Sequence, residues 1–303
     1  MRITVPDNLR TESTTTNLEV EDPRLEWSAG TTYSIGDEAW KASTHRVYRS
    51  AVDNNTDDPE VGVRKDPKTW IDIAPTNEWA FRDEVNTNQT VRADSLTITH
   101  QAFGDAFLSA IDLFNISAAD VQITLTSDQA GGQFFDEVFS LQNFDNINDL
   151  FDYRYAAFRP SLRSLAVSGF QAYTDTVATV TLTNIGSDAA MGNIVIGESL
   201  EIGATLTDFT TPIMDYSRRT VDEFGNVFLR DFGSSKQFRG QVAIPIGDVN
   251  YVYETLSDLA GIPVSFVGDA RYTGSIVYGT VSIIPAYSVT DVSIATVKVE
   301  GLK

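Results

Sequence analysis

Threonine alternates with valine, isoleucine or leucine in one stretch of this chain after another, and a hydrophobic period of two commits those stretches to sheet. The clearest are Ser95-Leu-Thr-Ile-Thr99, Val121-Gln-Ile-Thr-Leu-Thr126 and Val177-Ala-Thr-Val-Thr-Leu-Thr183. Successive strand side chains point to opposite faces, so each stretch offers one face to a core and one to water. Antiparallel sheets packed on one side need that pattern. Asn193-Ile-Val-Ile196 is apolar throughout and reads as a further strand. Turn formers separate the runs at Ser127–Gly132, Ser168-Gly169 and Gly186-Ser-Asp188. Residues 86–200 therefore predict a β-sandwich or jelly roll.

Residues 201–303 predict an α+β domain with one helix. Asp248 stands as its N-cap, and Val249, Val252, Leu256 and Leu259 mark one helical face before Gly261 and Pro263 stop it. Ile213–Val221 and Val227–Arg230 flank Asp222-Glu-Phe-Gly-Asn226 as a hairpin. Val264–Val267, Gly274–Ile284 and Val289–Val299 supply further strands. Residues 1–23 are rich in Thr and Asn, end at Glu21-Asp22-Pro23, and read as an extended arm or edge strand. The expected fold class is mainly β.

Residues 24–85 hold all four tryptophans, Trp27, Trp40, Trp70 and Trp79. A tryptophan buries a large area and carries one N–H that wants a partner, so this clustering predicts a small module with its own aromatic core. Ala39-Trp40 and Val47-Tyr48 read as a hairpin, and Trp70-Ile-Asp-Ile73 as its closing strand. Between them, Asp53, Asn55, Asp57 and Asp58 offer oxygens at alternate positions, as calcium prefers. The loop lacks the glycine and distal glutamate of an EF-hand and reads as a cluster of turn formers.

Chemistry is scarce. The only histidines, His45 in the hairpin turn and His100 at a strand end, read as solvated side chains. Phosphate loop, HExxH, G-x-S-x-G and G-x-G-x-x-G patterns are all absent. The adjacent acids Asp136-Glu137 and Asp222-Glu223 point to opposite faces of a strand and make no dyad for sugar hydrolysis. No catalytic, cofactor-binding or metal residue is assigned, and the chain reads as a non-enzyme without a cofactor. Its formal charge of −20 repels a phosphate backbone and argues against a nucleic-acid partner. The acidic exterior suits high salt, an electropositive partner or simple solvation. No apolar run approaches the ~18 residues of a membrane span, and the first residues do not read as a secretory signal. Without cysteine there is neither disulfide nor thiolate chemistry.

Two resemblances follow. Trp27, Tyr33-x-x-Gly36-Asp37, Val47-Tyr48, Pro59 and Trp70 form a frame that resembles the small chitin- and cellulose-binding modules carried by chitinases. In those modules some aromatics build the core and others stack on sugar. Here Arg49–Asp53 and Asn55–Asp58 carry no ring where the stacking face usually lies. Trp40 and Trp79 remain as candidate glycan-stacking rings, or serve a core or inter-domain role. More of the chain is similar to structural proteins of tailed bacteriophages. The similarity runs through Trp70–Ala80, Gly192–Gly197, Asp215–Asn226 and Val299–Leu302. Such proteins pair a carbohydrate-binding-like module with a galactose-binding-like jelly roll and an α+β domain.

That resemblance implies a structural protein of the virion tail, at the tail tip or baseplate or as a minor tail protein. Its partners would be other tail proteins and copies of itself. The alternative is an adsorption protein that recognises a host surface glycan. Tyr216, Arg218 and Arg219 bring an aromatic and two cations into an acidic chain and are the candidate subunit interface. The competing reading pairs both arginines with Asp222 and Glu223 inside the hairpin.

Overall fold

A computed structural model describes every residue except 8, 10–12, 105, 145, 158, 207–208, 288–290 and 303. The fold is mainly β, with 49% of the chain in strands and 9% helical. The alternating stretches lie in a five-stranded antiparallel sheet ordered Thr14–Thr16, Thr90–Gln101, Val177–Met191, Asp120–Ser127, Gly132–Ser140. Leu96, Leu182 and Val121 stand side by side across it, as do Ile98, Val180 and Ile123. All six are buried, and each contributes roughly 1.5–3 kcal/mol by leaving water.

The face these residues cover belongs to a longer sheet. Its strands run Ser164–Ser168, Ala110–Phe114, Asn193–Glu201, Arg2–Pro6, Val264–Val267, Ile276–Ala286, Val292–Gly301, Ser234–Pro245, Ala204–Thr205. Ile213–Asp215 adds a further pairing to Ser234–Pro245. Ile111, Leu113, Ile194 and Ile196 close the sandwich core from its first half. On the second half, Ile3, Phe238, Val242, Phe266, Val297 and Val299 form a separate core under the helix Val249–Asp258. The helix buries Val249, Val252 and Leu256, and Gly261 ends its exit turn at φ 82°.

The N-terminal strand Arg2–Pro6 is no edge. It pairs antiparallel with Asn193–Glu201 on one side and Val264–Val267 on the other, and so joins the two halves. The division at residue 200 marks no break in the sheet, because it falls within Asn193–Glu201. Other details also differ from the sequence reading. Gly186 sits in a bulge within the strand Val177–Met191, where a turn was expected, and its N–H donates to Asp94 Oδ1 at 2.7 Å. Asp248 occupies the N-cap position without a side-chain capping bond. The last strand begins at Val292, and its expected start at Val289 lies outside the described residues. No described helix is long and apolar enough to cross a membrane.

The tryptophan module is a three-stranded sheet of Glu38–Lys41, Arg46–Ser50 and Trp70–Pro75. Trp70 is fully buried at its centre, edge-on to Tyr33 with ring centroids 5.2 Å apart. Its indole N–H donates to Asp57 O at 2.9 Å. The chain leaves the module through Asn77, whose side-chain amide makes two strand-like bonds with Val91. Phe81 then inserts into the sandwich core.

Candidate functional site

Between Ile213–Asp215 and Ser234–Pro245 the chain leaves the body of the protein as a two-stranded ribbon, Arg218–Val221 against Val227–Arg230. All eight strand residues are exposed, so neither face is covered. An isolated hairpin in water is marginal at best, because it buries no apolar face. This one is held at both ends. At the root, Tyr216 Oη and Ser235 Oγ lie 2.9 Å apart, and Tyr216 N–H donates to Gly233 O. At the tip, Asp222 accepts from Phe224 N, Asn226 N and Asn226 Nδ2, all within 2.9 Å. The Asn226 amide in particular holds the Asp222 carboxyl below its usual range. Gly225, at φ 83°, allows the turn.

What the ribbon displays is apolar and cationic. Phe224 is 89% exposed, and Leu229, Phe228, Val221 and Val227 are open as well. A cluster of large apolar side chains on an exposed element makes this ribbon the candidate interaction surface. Arg218 stands directly opposite Arg230, and like charges in that position repel. Among the described residues, none of Arg218, Arg219 and Arg230 makes an ion pair. Asp222 is committed to its own turn, and the competing pairing of the arginines with Asp222 and Glu223 does not form among the described residues. Tyr216, Arg218 and Arg219 are brought together here, with Tyr216 at the root and the arginines on the first strand. The apolar members Phe224, Phe228 and Leu229 were not singled out from sequence. The run Val227-Phe-Leu229, apolar on both faces beside a turn, was the available signal.

The other candidates lie elsewhere. Trp79 is half-buried where the module meets the sandwich; His45 stacks on it at 4.0 Å and the Arg82 guanidinium lies over its ring at 4.8 Å. Both contacts compete with a sugar for that ring. His45 Nδ1 in turn lies 2.8 Å from Glu21 Oε1, which also accepts from Thr76 Oγ1. Trp40 is half-buried, its indole N–H donating to Arg24 O at 3.1 Å. In the acidic loop, Asp53 accepts from Ile35 N, Asp57 pairs with Lys65, and Asp58 pairs with Lys41 while capping a short helix through Glu60 N. Those oxygens hold local structure. On the strand Gly132–Ser140, Asp136 accepts from Gln122 and Gln133.

His100 corrects the reading from sequence. It is fully buried, with Nε2 3.0 Å from Asp7 Oδ2 and Nδ1 2.8 Å from Thr14 Oγ1. It fastens the N-terminal segment to the five-stranded sheet, and burial pushes its pKa down against the opposing pull of Asp7. No family model and no curated protein matches this chain.

Proposed function

We propose that this chain is a structural component of a bacteriophage tail, held among its neighbours by the ribbon Arg218–Arg230. The observation that carries the assembly part of this reading is the complete exposure of both ribbon strands, apolar side chains included. A globular body gains nothing from projecting phenylalanine and leucine into water; a subunit does, because the transfer of that surface into an interface drives association. The tail itself is suggested by the resemblance of Trp70–Ala80, Gly192–Gly197 and Asp215–Asn226 to tail structural proteins. The strands that flank the ribbon belong to the long continuous sheet, which gives it a structured base.

The test is localisation. Particles of a phage carrying this gene are purified and labelled with an antibody to the sandwich, then imaged by electron microscopy. Label on the tail supports the reading, and its absence from intact and from opened particles ends it.

A further inference from the structure

Beside the root of the ribbon, the reverse face of the long sheet holds a cleft of about 320 Å³. Phe114, Ile276 and Tyr278 give it an aromatic and aliphatic floor, and Arg163 and Lys236 stand on its lining. No carboxylate lines it among the described residues. In a chain of charge −20 that arrangement is unusual. Among the described residues, the Lys236 ammonium donates only to neutral oxygens, Thr273 O at 3.1 Å and Ser164 Oγ at 3.4 Å. Crowding by the protein lowers its pKa although the side chain remains accessible, and no acid acts to restore it. Arg163 makes no ion pair among the described residues either. Burial pushes the Tyr278 phenol up to about 12, and Glu84 and Asp83 add to that shift.

The ribbon tip is the complement of this cleft. Asp222 is spent on the turn, Glu223 has no ion-pair partner among the described residues, and Phe224 is their most exposed large apolar side chain. No tip residue lines the cleft of its own chain. Four paired residues hold the tip roughly 13 Å from the root.

Building on the assembly reading above, we propose that copies of this chain join head to tail. The tip of one copy seats Phe224 on the Phe114–Tyr278 floor of the next and sets Glu223 against its Arg163 and Lys236. Tip and cleft are different surfaces, so the contact is heterologous and repeats around a ring or along a filament. Charge complementarity of this kind fixes which surface meets which, while the buried ring supplies the anchor.

Because the chain has no cysteine, single cysteines report the contact cleanly. Thr87→Cys marks the cleft and Val221→Cys the ribbon beside its tip. The two full-length variants are mixed and treated with a short bis-maleimide. The expected product is a cross-linked dimer in the mixture and none from either variant alone. Lys236→Glu cuts its yield by about tenfold or more, and Glu223→Lys combined with Lys236→Glu restores it. Dimers from each variant alone, no mixed product, or a yield indifferent to charge reversal would overturn the proposal. Circular dichroism of each variant shows that it is folded. A chain located in the tail that gives no mixed product inside the particle sinks the head-to-tail contact and leaves the tail reading standing. A mixed product from a chain absent from the particle does the reverse.

Discussion

Arg2 reaches across the intervening strand Asn193–Glu201 and grips Asp112 two strands away, Nη2 to Oδ1 at 2.6 Å and Nη1 to Oδ2 at 3.1 Å. Asp112 is wholly buried, and Thr4 Oγ1 donates to its second oxygen at 2.5 Å. A buried carboxylate tolerates that position only when its oxygens are satisfied. This pair ties the N-terminal strand to the sandwich on the face opposite both cores. Asp112→Ala leaves the Arg2 guanidinium nearly buried and unpaired, and is expected to lower stability by about 3–5 kcal/mol in urea unfolding. A loss below about 1 kcal/mol would show that the pair holds nothing together.

His100 sets a pH dependence. Burial lowers its pKa below the ordinary value of 6.5, so the folded state prefers the neutral ring. As pH falls below 6.5 the unfolded chain takes up this proton before the folded one does, and stability declines across the interval down to the folded pKa. Above 6.5 the contribution is constant. His100→Gln flattens the slope of unfolding free energy between pH 7 and the onset of general acid unfolding. A wild-type chain that gains stability on acidification through this interval contradicts the assignment.

Gly62 closes the tryptophan module. A Cβ there would overlap the Trp70 indole and the Thr69 hydroxyl. Gly62→Ala is expected to cost about 1–3 kcal/mol by overpacking. The loss is local: tryptophan fluorescence shifts at lower denaturant than far-ultraviolet circular dichroism does, because the sandwich core does not include Trp70. Coincident, unshifted transitions would show that the module has room to give.

The ribbon carries no folding load. Phe228→Ser and Leu229→Ser touch no core, and each is expected to change unfolding free energy by less than about 0.5 kcal/mol. Their effect falls on association, measured by sedimentation velocity as a smaller fraction of higher species. A large loss of monomer stability would place these side chains against the body.

Local pattern made much of this fold legible. Leu96, Ile98, Val180 and Leu182 announce their strand and their face by period alone, and all four lie in the sandwich core. The helix after Asp248 was legible from Val249, Val252 and Leu256, yet its capping was not, since Asp248 takes helical backbone angles. Long-range pairing was hidden. Nothing local in Arg2–Pro6 says that it lies between two strands distant in sequence, and His100 is buried with Asp7 and Thr14 as bonding partners, which its neighbours in sequence do not reveal. The short helix Leu150–Tyr155 carried its own signal, Asp149 accepting from Asp152 N, but buries no residue, its rings Phe151 and Tyr155 packing on each other in the open. The cations of the ribbon stood out against an acidic chain; those of the cleft, Arg163 and Lys236, are 73 residues apart in sequence and meet only through the fold.

The most direct measurement is incorporation. Residues Arg218–Arg230 are replaced by a short Gly-Ser link, and the altered gene complements a phage lacking its own copy. Quantitative mass spectrometry then counts this chain in purified particles. The ribbonless protein is expected to fold, by circular dichroism, and to fall about tenfold or more in copies per particle. Wild-type incorporation without the ribbon would contradict the claim that this element holds the subunit in place.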